Sequence, residues 1–144
     1  MMGFGTAVST CMRKFVTFSG RAPRAEYWWF VLFTSIISVV VEFIEPIVGV
    51  VTDLVFLLPT LSVAWRRMHD IGKHGAWSLC PVLGLIPAGI GLAAGVNIIL
   101  YIGLAITIGL AIYFFVLTIT RGEEGSNLYG PDPYGMSYDP SVFD

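Results

Sequence analysis

The chain has 144 residues, of which 56% are hydrophobic and 12% charged, with a formal net charge of -2. Soluble domains carry about 25% charged residues, so this chain, with a mean hydropathy of +0.78, is too apolar for a small soluble domain or a disordered segment. Two cysteines exclude a disulfide scaffold, and the near-neutral charge gives no reason to expect nucleic acid.

What remains is an all-α integral membrane protein: one domain over residues 1–133, then a tail at 134–144. In chain order, the first stretch lacks the continuous apolar core of a cleavable signal peptide, so none is expected. Val8, Cys11, Met12, Phe15 and Val16 share a helical face, with Arg13 and Lys14 off it. This predicts a short N-terminal interfacial helix.

Four segments then reach the ~20 apolar residues that a membrane helix needs. They are residues 27–43, 47–65, 76–94 and 98–120. Glu45-Pro46 and Gly95-Val96-Asn97 provide reversals between them, so two hairpins are expected. The alternative of two long helices would need about 58 Å for the first, far beyond a ~30 Å hydrocarbon core.

The basic residues form three clusters: Arg13, Lys14, Arg21 and Arg24; then Arg66, Arg67 and Lys73; then Arg121. Four crossings put all three on one side. The positive-inside rule makes that side, and both termini, cytoplasmic. Trp28, Trp29, Trp65 and Trp77 fall at the same helix ends, where amphipathic rings anchor among headgroups. Cys11 and Cys80 lie on or near this reducing side and read as small apolar residues, not as a bridge.

The third segment carries Pro81, Pro87, Gly84, Gly89, Gly91 and Gly95. Gly91 with Gly95, and Ala105 with Gly109 on the fourth, form small-xxx-small pairs that are expected to hold the last two helices together. The broken helix would also suit a hinge or substrate path, although no charge accompanies it.

Glu42 and Glu45 sit at the outer end of the first span, where solvation suffices. Asp53 lies about two turns into the second span. A carboxylate there is costly unless solvated, neutralised, bound to a cation or paired. Asn97 and Tyr101 are candidate donors to it. Asp53 is thus expected to mark a partner contact or a cation or proton site.

Three polar motifs map to the cytoplasmic helix ends. They are Gly20-Arg21-Ala22-Pro23-Arg24-Ala25-Glu26-Tyr27-Trp28, Arg66-Arg67-Met68-His69-Asp70, and Asn127-Leu128-Tyr129-Gly130-Pro131-Asp132-Pro133. Arg21, Arg24, Arg66, Arg67 and Lys73 supply donors at headgroup depth, while Glu26 and Asp70 offer carboxylates for bidentate pairing. The last motif is turn-rich, and its Asn127, Tyr129, Gly130 and Asp132 are expected to dock beneath the helices. His69, Asp70 and His74 match no standard metal spacing, and no nucleophile accompanies His69. No metal, cofactor or catalytic residue is therefore expected.

These motifs, in this order, resemble the bacterial inner-membrane family named domain of unknown function 805, the YhaH-like proteins. The resemblance runs from about Phe15 to Pro133. After His-Asp that family usually reads Ser-Gly-Trp-Trp, where this chain has His74-Gly75-Ala76-Trp77. The resemblance implies a multi-pass inner-membrane protein and brings no established activity. The leading functional expectation is a structural or accessory subunit that packs against a larger membrane complex or itself. Anionic lipids are expected to touch its cytoplasmic face. The alternative is a small oligomeric transporter or channel using Asp53 and the broken third helix.

Overall fold

The structure is a computed structural model that describes residues 2–135; Met1 and 136–144, most of the expected tail, lie outside the described residues. Four helical segments are long and apolar enough to cross a membrane. α1 (Phe4–Arg13) precedes α2 (Arg24–Ile44) and α3 (Pro46–Asp70). A 3₁₀ turn (Gly75–Leu79), α4 (Cys80–Leu83) and α5 (Leu85–Ala94) together make the third span, and α6 (Asn97–Ile119) is the fourth.

α2 begins at Arg24, three residues before the expected start, and two larger differences follow. α3 continues to Asp70 instead of stopping at Trp65. Arginine and methionine are good helix formers, so the onset of charge marks a change of surroundings and not the end of the helix. The third span is three pieces, bent at Gly84, because Pro81 and Pro87 each remove a backbone donor.

Helix α1 also differs. It begins at Phe4 and ends at Arg13, so Phe15 and Val16 fall beyond it, and Met12 faces outward. Its buried residues are Ala7 and Cys11, one turn apart. The small pair lets α1 press against α2 and α3, with Phe4 edge-on to Trp29. The helix is thus docked on the bundle as well as amphipathic.

Close packing of adjacent spans depends on small residues. A Cβ built on Gly49 would lie 2.9 Å from the Glu42 Cα, so α2 and α3 touch backbone to backbone near Glu45-Pro46. Against α6, Gly84 meets Thr107, Ala88 meets Gly103, and Gly91 meets Leu100. Of the expected small residues this seam keeps Gly91 but not Gly95 or Gly109. Gly95 is the left-handed residue that ends α5, with φ of 67°, and a Cβ on Gly109 would touch nothing. Gly103→Leu is therefore expected to lower the stability of the detergent-solubilised protein by about 3 kcal/mol, the upper end of the overpacking range. Gly109→Leu should leave the thermal midpoint unchanged.

The hydrophobic core lies toward the arginine-bearing end. Cys11, Ala22, Tyr27, Phe30, Val63 and Ala64 form it, with Trp28, Phe33, Phe56 and Phe114 packed around. At the opposite end, Phe43 and Ile47 are 92% and 75% exposed. Such outward apolar side chains suit hydrocarbon as solvent.

Candidate functional site

The three polar motifs converge at one end of the bundle, and their meeting point is Asp70, the last residue of α3. Its side chain is 2% exposed. Arg21 Nε donates to Oδ1 at 3.0 Å, and Arg67 Nη1 donates to Oδ2. One carboxylate thus makes two charge-assisted bonds, one joining the loop before α2 to α3 and one within α3.

The other bonds of Arg21 and Arg67, and one from Arg24, go to carbonyls at the ends of α3 and α6 and in the segment after α6. Arg67 Nε donates to the Thr118 carbonyl at 3.1 Å and Nη2 to that of Thr120, while Arg24 Nη1 reaches that of Ile119 at 3.3 Å. The last carbonyls of α6 have no intrahelical partner, and cations are favoured there by the helix dipole. Arg21 donates to the Glu123 and Gly125 carbonyls at 2.5 and 2.6 Å. Glu123 N–H in turn donates to the Asp70 carbonyl at 2.8 Å.

The C-terminal motif completes the closure. Asn127 Nδ2 donates to the His69 carbonyl at 2.9 Å and to Glu123 Oε2 at 2.8 Å. Tyr129 stacks flat on His69, with ring centroids 3.9 Å apart and planes within 3°. His69 Nδ1 lies 3.0 Å from the Gly20 carbonyl. Gly130 exchanges backbone hydrogen bonds with Asn127 and takes a φ of 144°, a conformation open to glycine. Asp132 accepts from the backbone N–H of Tyr134 and of Gly125, and these bonds hold its carboxyl below the usual carboxylate range.

A second buried pair lies behind the first. Arg66 Nη1 donates to Glu26 Oε1 at 2.5 Å, with side chains 0% and 3% exposed. The Cys11 thiol sits 3.7 Å from the same oxygen. Arg66 Nε and Nη2 have no hydrogen-bond partner among the described residues. Burial, and then the Glu26 charge, push the Cys11 thiol up to about 12. It stays protonated at neutral pH, and thiolate is the reactive form. Cys11 is expected to resist maleimide at pH 8 in mild detergent for as long as the protein is folded, and to react at once in denaturant. Mass spectrometry of the Cys80→Ala protein reads this directly.

Arg21, Arg66 and Arg67 are buried and turned to internal partners, so the structure places them in an internal network. Burial costs the charges their hydration, and carboxylates and carbonyls replace it. Lys73 is outside the network, with its ammonium 5.5 Å from the Trp77 ring centroid.

Sequence reasoning missed Gly72, Gly122 and Glu123. A Cβ on Gly72 would collide with Glu123, and one on Gly122 with Asp70. The available signal was the glycine-flanked Arg121-Gly122-Glu123-Glu124-Gly125 run directly after a span. Cys11 was also missed as a neighbour of Glu26.

Asp53 lies elsewhere, exposed on α3. It lines a groove of about 410 Å³ with Thr34, Ser35 and Ser38 of α2 and Thr60 of α3. Asn97 and Tyr101 do not donate to it; both are exposed on α6. The break at Gly84 packs on α6, so it and Asp53 belong to different helix pairs. Glu42 and Glu45 are exposed at the far end. Among the described residues no group of three metal-ligating side chains exists.

Comparison with known proteins adds the following. The family model described as protein of unknown function (DUF805) matches residues 15–131. The inner membrane protein YhaI of Escherichia coli K12 is 34% identical over 129 residues, covering 85% of this chain and 90% of that protein. The inner membrane protein YhaH of the same organism is 29% identical over 133 residues, covering 85% and 91%. The uncharacterized protein YiiR is 27% identical over 137 residues, covering 90% and 94%. No solved structure matches.

Proposed function

The chain belongs to the DUF805 family and is a multi-pass inner-membrane protein, and from that premise we propose that it is a non-catalytic structural subunit of a membrane assembly. In this reading its four spans thread as two hairpins with both termini in the cytoplasm. The polar network then forms a lock on the cytoplasmic face. The observation that carries the reading is the destination of the buried charges. Asp70 and Glu26 are held by arginines, and Arg21 and Arg67 are bonded to carbonyls. Polar groups bound to one another serve shape before chemistry.

The partner is another membrane protein or a second copy of the chain. Anionic lipids are contacted by the exposed cations Arg13, Lys14 and Arg24, not by the buried arginines; each basic group near an anionic leaflet is favoured by about 1 kcal/mol. Mild-detergent purification followed by identification of co-migrating chains tests the reading. A stoichiometric partner or a defined homo-oligomer is expected. A monomer that migrates alone, or one that drives solute flux in proteoliposomes, contradicts it.

A further inference from the structure

The groove between α2 and α3 has a composition that a lipid tail does not match. Asp53 is exposed there without a hydrogen-bond partner among the described residues, and Ser35, Ser38 and Thr60 present hydroxyls beside it. The flanks are apolar: Val39, Phe56 and Leu57. Every lysine and arginine of the chain lies at or beyond the other end of the spans. A carboxylate and several hydroxyls facing hydrocarbon are costly unless another protein surface covers them.

We propose that this groove is the contact through which two copies of the chain pair in the membrane, each Asp53 accepting from the Ser38 hydroxyl of the other copy. The proposal rests on the structural-subunit reading and names its partner. The groove is self-complementary, carrying hydroxyl donors and a carboxylate acceptor on one face, as a twofold contact requires. Depth agrees as well. Asp53 lies about 10 Å along α3 from Pro46, and Ser38 about 9 Å along α2 from Ile44. A twofold axis along the membrane normal keeps depth unchanged, so it brings each Asp53 level with the other copy's Ser38. Val39 and Leu57 then supply the apolar packing that drives helix association in lipid.

The test uses the full chain with Cys11→Ala and Cys80→Ala. Val39→Cys, which lines the same groove and leaves Ser38 and Asp53 in place, is oxidised with copper-phenanthroline in native membranes, beside Ile102→Cys on the outward face of α6. Covalent dimer is expected at Val39→Cys at ten or more times the yield at Ile102→Cys. Adding Asp53→Ala is expected to cut that yield at least tenfold. Equal yields at the two positions, or no effect of Asp53→Ala, overturn the proposal. Light scattering on the unsubstituted protein in mild detergent gives a second reading, with two copies expected. One copy bound to a foreign membrane chain overturns the pairing and leaves the subunit reading standing. One copy alone overturns both.

Discussion

Asp70→Ala is expected to destabilise the protein by about 3–5 kcal/mol, the cost of leaving buried charge without its partner. The substitution strands Arg21 and Arg67 together, both of them within the protein. It also removes the only side chain that joins the loop before α2 to α3 by charge among the described residues. SDS-titrated unfolding of the detergent-solubilised protein reads the loss, together with a fall in steady-state level. Arg24→Ala is the comparison: Arg24 is exposed and makes one long bond, to the Ile119 carbonyl, so a loss under about 1 kcal/mol is expected.

Glu26→Leu is expected to be almost as damaging, since it leaves Arg66 buried and unpaired. The pair as a whole is a different matter. Two of the three Arg66 guanidinium nitrogens already lack a partner among the described residues, so much of the desolvation cost is unmet even in the intact protein. Glu26→Leu with Arg66→Met together should recover most of the loss, because replacing a buried ion pair by apolar residues of similar size is often neutral or stabilising. A coupling energy of at least about 2 kcal/mol in the double-mutant cycle is the expected result. If the double variant is as unstable as Glu26→Leu alone, Arg66 acts through contacts other than Glu26.

The sequence was legible where one residue type dominated. Continuous apolar runs gave the four spans to within a few residues at most ends, because a backbone in lipid must be helical and long enough to cross. The three polar motifs were placed at the correct helix ends because charge is expelled from hydrocarbon. Their internal partners were not legible. Arg21, Arg66 and Arg67 look like surface cations by identity. Their burial depends on α3 continuing to Asp70 and on Gly72 and Gly122 admitting the returning chain. The helix seam was only partly legible, for a related reason. Four-residue spacing of small residues occurs in several registers, and the turn at Gly84 selects Gly84, Ala88 and Gly91 over Gly95. Asp53 stood out as a carboxylate within an apolar span, and it is exposed on α3. Its hydroxyl neighbours on α2 depend on how α2 and α3 rotate about Gly49, which no local pattern specifies.

In the proposed topology a single polar lock sits at the cytoplasmic end of an even number of crossings. Site-directed labelling of right-side-out membrane vesicles tests this most directly. Glu45→Cys and Ser126→Cys, each in the Cys11→Ala and Cys80→Ala background, are exposed to a membrane-impermeant maleimide; both positions are exposed and lie at opposite ends of the spans. Glu45→Cys is predicted to label in sealed vesicles, and Ser126→Cys only after permeabilisation. Labelling of Ser126→Cys in sealed vesicles, or of both positions from one side, contradicts the account.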